Sequence, residues 1–234
     1  MNLTKRSELR RMPARGSHDW NTISRILDVG FLAHVGFSVR DQPFVIPTLY
    51  GRRGEKLYLH GSAASRMLGE LETGLPACIT VTLVDGLVLS RSAFDHSMNY
   101  RSVVAFGTAK KIVDPAEKMD CLRVISEHLI PGRWAEVRGP SQTELKATTV
   151  LEFFIDEVSS KVRSGPPLDD QNDYGLPVWA GVLPLEIRSR PAIPDEQLVE
   201  GVALPDYVQH YDARLDGKAS HSPIAEPLQD AMAP

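Results

Sequence analysis

The run Asp95-His96-Ser97-Met98-Asn99-Tyr100-Arg101-Ser102 combines an imidazole, an amide, a phenol, hydroxyls and a guanidinium. It feeds directly into the apolar, β-prone run Val103-Val104-Ala105-Phe106-Gly107. A second apolar run, Val81 to Leu89, ends in Ser90-Arg91-Ser92. Arginine and hydroxyl donors at strand ends suit a phosphorylated aromatic ligand. The donors take phosphate, and the polar groups meet ring edges. Arg91-Ser92 and Tyr100-Arg101-Ser102 flank one loop and can face one ligand. An ordinary hairpin with cross-strand pairing would carry the same letters.

A second cluster is His60-Gly61-Ser62-Ala63-Ala64-Ser65-Arg66, where a strand end enters a helix. Ser62, Ser65 and the first-turn amides can accept an anion, and Arg66 adds charge. A helix cap with a surface arginine would read the same way. His60 can be a base, a ligand contact or a haem ligand, or a hydrogen-bonded surface residue. His34 and His96 are weaker candidates of the same kind. Lys161-Val162-Arg163-Ser164-Gly165 precedes the acidic Asp169-Asp170. That pairing reads as a dimer contact, a rim around an anion, or a charged surface loop. Trp179 either anchors a loop or covers a planar ligand.

The wider composition narrows the field. There is no GxSxG, HExxH, P-loop or GxGxxG, so those chemistries lose their usual warrant. The 26 basic and 30 acidic residues give a net charge of −4, unlike a general nucleic-acid binder. No apolar run reaches the roughly 18 residues of a membrane span. Met1 to Arg15 is basic and polar and does not read as a secretory signal. Cys78 and Cys121 are far apart in apolar surroundings, which reads as two buried free thiols in a reducing cytoplasm.

The positioning elements follow from periodicity. Ser17 or Asp19 caps a helix to Val29, with Ile23, Ile26 and Leu27 as its stripe. Phe31–Val39, Phe44–Tyr50 and Lys56–His60 read as strands in two hairpins. Their breaks are Arg40 to Pro43 and Gly51 to Gly54. Ser65 to Glu72 is a short helix. Ala77–Val84 and Gly86–Ser92 read as two strands about an Asp85-Gly86 turn. Arg101 to Val113 follows, with a bulge at Gly107. Asp114 caps a helix whose buried face is Met119, Leu122, Ile125 and Leu129. Ser141 opens a capping box, and Val150–Val162 is the last strand. The expected fold is mainly β with α+β trim: an antiparallel, six- to seven-stranded β-barrel in meander order, which the resemblance given below makes a split barrel. Beyond Arg190 the prolines predict an irregular tail, disordered at its end.

These segments together resemble the FMN-binding split-barrel superfamily that includes pyridoxamine 5′-phosphate oxidase. Within it they are similar to the flavin-nucleotide-binding, nitroimidazole-resistance reductase-like branch. The matching pieces are Phe31–Val35, Pro47–Gly51, Leu57–Ser62, Arg91–Phe94, Asn99–Val103, Pro131–Trp134, Lys161–Gly165 and Pro177–Gly181. The resemblance implies an N-terminal arm over 1–16, a cofactor domain over 17–185 and a proline-rich extension over 186–234. It implies a homodimer with FMN in a shared groove and oxidoreductase chemistry on a small organic substrate. Ser65 and Arg66 fill the phosphate-holding positions. Pro47, Thr48, His60, Ser62, Tyr100 and Ser102 lie around the flavin, and Arg91, Arg101 and Trp179 complete the expected cofactor-binding set. The alternative is a non-catalytic flavin- or haem-binding protein of the same fold. No counterpart of the pyridoxamine-phosphate substrate residues is found near the C-terminus, which argues against vitamin B6 oxidation.

Overall fold

The computed structural model describes residues 6–215. Its strands are β1 (Gly16–Ser17), β2 (Leu32–Val39), β3 (Gln42–Leu49), β4 (Gly51–Arg53), β5 (Lys56–Ser62), β6 (Ala77–Leu89), β7 (Ser97–Lys111), β8 (Thr148–Arg163) and β9 (Gly181–Pro184). The helices are α1 (Trp20–Val29), α2 (Arg66–Leu71), α3 (Pro115–Leu129), α4 (Gln142–Ala147), α5 (Asp206–Gln209) and α6 (Asp212–Leu215). All strand pairs are antiparallel, in the order β3-β2-β6-β7-β8-β5-β4, with β1 on β8 and β9 on β6. The sheet curls so that β3 touches β5, which makes the open-seamed barrel expected of a split barrel. The order is not the expected meander. The partners of β2 and β5 in mid-sheet are β6 and β8, distant in sequence.

Local chemistry explains most element ends. Asp19 caps α1 by accepting from Thr22 N at 2.9 Å, and Ile23, Ile26 and Leu27 are its buried stripe. Ser141 and Glu144 form the expected capping box on α4. The β2–β3 turn uses Arg40 and Asp41 at φ 49° and 62°, the left-handed conformation that a two-residue hairpin requires. The core lies between the inner sheet face and α1 and α2, and a smaller cluster lies beneath α3.

Four expectations are corrected. Asp85-Gly86 is not a hairpin turn, because neither residue has positive φ. It is a bulge within the single strand β6, where Arg101 grips Asp85 and the bare Gly86 lets β9 approach. A Cβ added at Gly86 would stand 2.9 Å from Leu183 O. Gly51–Arg53 is the strand β4 rather than part of a break, and the turn falls at Gly54, φ 57°. The buried face of α3 is Cys121, Val124, Ile125 and His128, one step round from the expected stripe. Close docking on Gly51 sets that rotation, since a Cβ there would stand 2.7 Å from Ile125 Cα. Finally, β8 is not the last strand, because β9 follows it.

The Gly107 bulge is present, and a Cβ there would lie 1.8 Å from Phe154 O. Cys121 is buried and Cys78 half-buried, and both are free. The tail beyond Arg190 is largely irregular but carries α5 and α6, and Arg214 of α6 is buried. Its guanidinium donates to His128 O at 2.8 Å and Val29 O at 3.0 Å, so one cation caps the ends of α1 and α3. The expected disorder at the very end concerns residues outside those described. Among the described residues no helix is long and apolar enough to cross a membrane.

Candidate functional site

Strand pairing sorts the candidate residues by face. Cross-strand neighbours Pro47, His34, Thr80, Val104 and Ser159 form one row on the outer face of the sheet. The next row carries Thr82, Ser102 and Lys161, and beyond it lie Val84, Tyr100 and Arg163. Tyr100 and Ser102 therefore share a face with Pro47. Thr48 alternates to the inner side beside the buried Ala33. Arg101 alternates inward as well.

His60 and Ser62 reach the outer face from the other side of the seam. The β4–β5 register pairs Gly51 with Tyr58. That ladder ends at Gly51, and beyond it β3 and β5 touch across the seam without pairing among the described residues. Ser65 caps α2 by accepting from Leu68 N at 3.4 Å. Arg66 then projects over the Phe44 ring, 4.5 Å from its centroid. Its charge meets no carboxylate among the described residues.

His60 is half-buried, and its Nδ1 is buried with no hydrogen-bond partner among the described residues. Burial holds its pKa below the usual histidine value, so the neutral ring is favoured. A neutral imidazole with an unused nitrogen can coordinate a metal or contact a cofactor.

The other arginines differ. Arg91 donates from Nη1 to Asp169 Oδ2 at 2.7 Å, and its backbone N donates to Asp169 Oδ1 at 2.7 Å. Tyr174 lies beneath its guanidinium. Arg101 holds Asp85 with three hydrogen bonds, the shortest 2.7 Å. It lines a cavity of about 340 Å³ with Phe31, Leu83, Ile187 and Leu215. Trp179 is 68% exposed and packs on Gly181 beside the far end of β6. The structure thus brings Ser62, Ser65 and Arg66 together at the β5–α2 corner, with His60 two residues back on β5, and puts Pro47, Tyr100 and Ser102 on the outer face of the sheet. It sets Arg91 and Trp179 apart at the β6–β7 tip, and His96 is an exposed loop residue there. Phe44, the platform for Arg66, carried no sequence signal beyond a strand position. Among the described residues no His, Cys, Asp and Glu cluster could hold a metal ion by itself.

Residues 19–162 match the pyridoxamine 5′-phosphate oxidase family model. The chain belongs to that family. Two solved structures resemble this family member over most of their length. One is the flavocytochrome Anf3 from Azotobacter vinelandii, 41% identical, covering 88% of this chain and 96% of that one at TM-score 0.83. The other is the FAD and haem binding protein from Mycobacterium smegmatis, 35% identical, covering 83% and 96% at TM-score 0.80. A structure assigned as a 5-nitroimidazole antibiotic resistance protein from Bacteroides thetaiotaomicron shares the fold at 24% identity and TM-score 0.52. It covers 63% of this chain and 86% of that one. None of the curated proteins compared with the chain matches it.

Proposed function

We propose that the protein is a flavoprotein that holds FMN on the outer face of its barrel and acts as an oxidoreductase on a small organic substrate. The observation that carries this reading is Arg66, an exposed guanidinium with no acid partner beside Ser62 and Ser65. Phosphate is the ligand group that such a corner recognises best. The reading is supported by His60 two residues before Ser62 on β5 and by Pro47, Tyr100 and Ser102 on the outer face of the sheet. A bound flavin would supply the electron transfer, leaving the chain to bind, orient and exclude water. Similarity to a flavocytochrome at 41% identity supports the reading. The test is the absorption spectrum of the purified protein, followed by FMN titration. Flavin bands, or uptake with micromolar or tighter affinity, are the expected result. Protein that is colourless and takes up no flavin would overturn it.

The same face supports a homodimer. Leu32, Val45, Leu49 and Val84 stand on it 43%, 66%, 39% and 44% exposed, more apolar surface than a lone sheet face needs. A second copy would cover them and shield the ligand, and a cytoplasmic setting suits two free thiols. Val45→Asp should shift the sedimentation equilibrium to monomer.

One observation favours haem as a second ligand: the buried, unpartnered Nδ1 of a neutral His60. Two similar structures are a flavocytochrome and an FAD and haem binding protein. Hemin titration should give a Soret band that His60→Ala loses. A band of equal intensity in that variant would rule out His60 as the ligand.

A further inference from the structure

We propose that Arg163, Lys161 and Arg15, with Tyr100 and Ser102, form a second anion site that takes a phosphate group. Arg163 closes β8 and is only 6% exposed. Its donors meet neutral oxygens alone: Asn99 Oδ1, Gly165 O at 3.4 Å and Pro166 O at 3.3 Å. Its Nε is buried with no partner. Arg52, Arg53, Arg91 and Arg101 each meet a carboxylate, and Arg163 meets none among the described residues.

Its charged neighbours make the imbalance larger. Lys161 stands two residues back on the same face of β8, and its Nζ donates to Arg11 O at 3.1 Å. Gly16 pairs with Lys161, which brings the adjoining Arg15 close enough to repel Arg163. Burial, with repulsion from Arg15 added, pulls the Arg163 pKa below its usual value. Three cations are thus gathered with no counter-charge among the described residues. Such an arrangement is unfavourable until an anion neutralises it.

The geometry suits a tetrahedral anion. Tyr100 pairs with Arg163 and Ser102 with Lys161 across the ladder, so a phenol and a hydroxyl stand beside the guanidinium and the ammonium. Ser102 Oγ is held only by a 3.4 Å contact to Lys161 O. The cover over Arg163 is the turn through Gly165, φ 104°, beyond which exposed and half-buried residues alternate. This site is not the Arg66 corner, because Ser62 pairs with Thr148 at the opposite end of β8. Since the proposed function gives the flavin's phosphate to the Arg66 corner, the phosphate here belongs to a separate phosphorylated ligand.

The test titrates the full chain with inorganic phosphate, read by calorimetry and by melting temperature. Phosphate should bind and raise Tm. Measured in an Arg66→Ala background, which removes the other phosphate corner, Arg163→Met should weaken the remaining binding by at least about tenfold. Tyr100→Phe removes one hydroxyl without a charge change and should cost a few-fold. With Lys161→Ala it decides the matter if Arg163→Met does not fold. FMN competition separates the sources. If FMN displaces this phosphate, and Arg163→Met weakens FMN and phosphate together, a separate second site is overturned. If phosphate still binds FMN-saturated protein, the ligand is separate. Equal phosphate binding by Arg66→Ala with and without Arg163→Met, or none by folded wild type, overturns the site. Because the probe is inorganic phosphate, failure of the flavin reading leaves this result interpretable.

Discussion

At the β5–α2 corner, Arg66 stacks on Phe44 and meets no acid among the described residues. Around the β6–β7 hairpin, Arg91 and Arg101 are clamped by Asp169 and Asp85. The three arginines look equivalent as letters beside serines, and they differ entirely in what their charge is doing. Asp169 is fully covered and also accepts from the Arg91 backbone, so that pair closes a loop onto the hairpin. Asp85 and Arg101 stabilise a bulge. A guanidinium already saturated by carboxylate oxygens has little left for phosphate. One that is stacked and uncompensated keeps both its charge and its donors.

The sharpest way to break this comparison is ligand affinity. Arg66→Ala should weaken FMN by about 1.5–3 kcal/mol, roughly 10- to 100-fold, with Tm little changed. Arg101→Ala should change FMN affinity by no more than about threefold. Isothermal titration of both variants checks the contrast, and the reverse order would refute it.

Stability should rank the residues the other way. Arg101→Ala strands Asp85 in a partly exposed bulge and should cost about 1 kcal/mol after allowing for solvent screening. Arg66→Ala should cost less than about 0.5 kcal/mol. Urea melts of Arg101→Ala, Asp85→Ala and the double variant should reveal a coupling that Arg66 and Phe44 lack or show only weakly.

The smallest effect is with pH. The folded state holds His60 below its ordinary pKa of 6.5, so the unfolded chain binds the proton more readily. Stability from this residue is complete above pH 6.5 and falls as pH drops below it. In His60→Gln that part of the acid slope should vanish between pH 6.5 and 5. An unchanged slope would mean that His60 is already hydrated in the folded state.

Much of the scaffold was legible because it rests on short-range rules. Asp19, Ser65, Asp114 and Ser141 are caps whose side chains bond three residues on, and each lies where its letters point. The β5–α2 corner was legible for the same reason, as a strand end followed by small residues and a cap. Asp85-Gly86 misled because a turn signal is only a local permission. A long-range grip from Arg101 and close packing by β9 chose a bulge instead. The α3 stripe misled because hydrophobicity cannot register a bare Gly51 or a buried His128 reaching Gly30 O at 2.8 Å.

The amino-acid sequence by itself determined the elements, the caps, the Gly107 bulge and the set of polar groups available to a ligand. Each of these depends on neighbours a few residues apart. Only the tertiary structure decided which cations stay uncompensated, because Asp169 lies 78 residues from Arg91, and Asp85 lies 16 from Arg101. It alone decided that Arg163 meets no acid and that His60 keeps an unpartnered nitrogen. Charge pairing and burial are set by which strands become neighbours. In this fold the neighbours of β2 and β5 in mid-sheet come from distant parts of the chain.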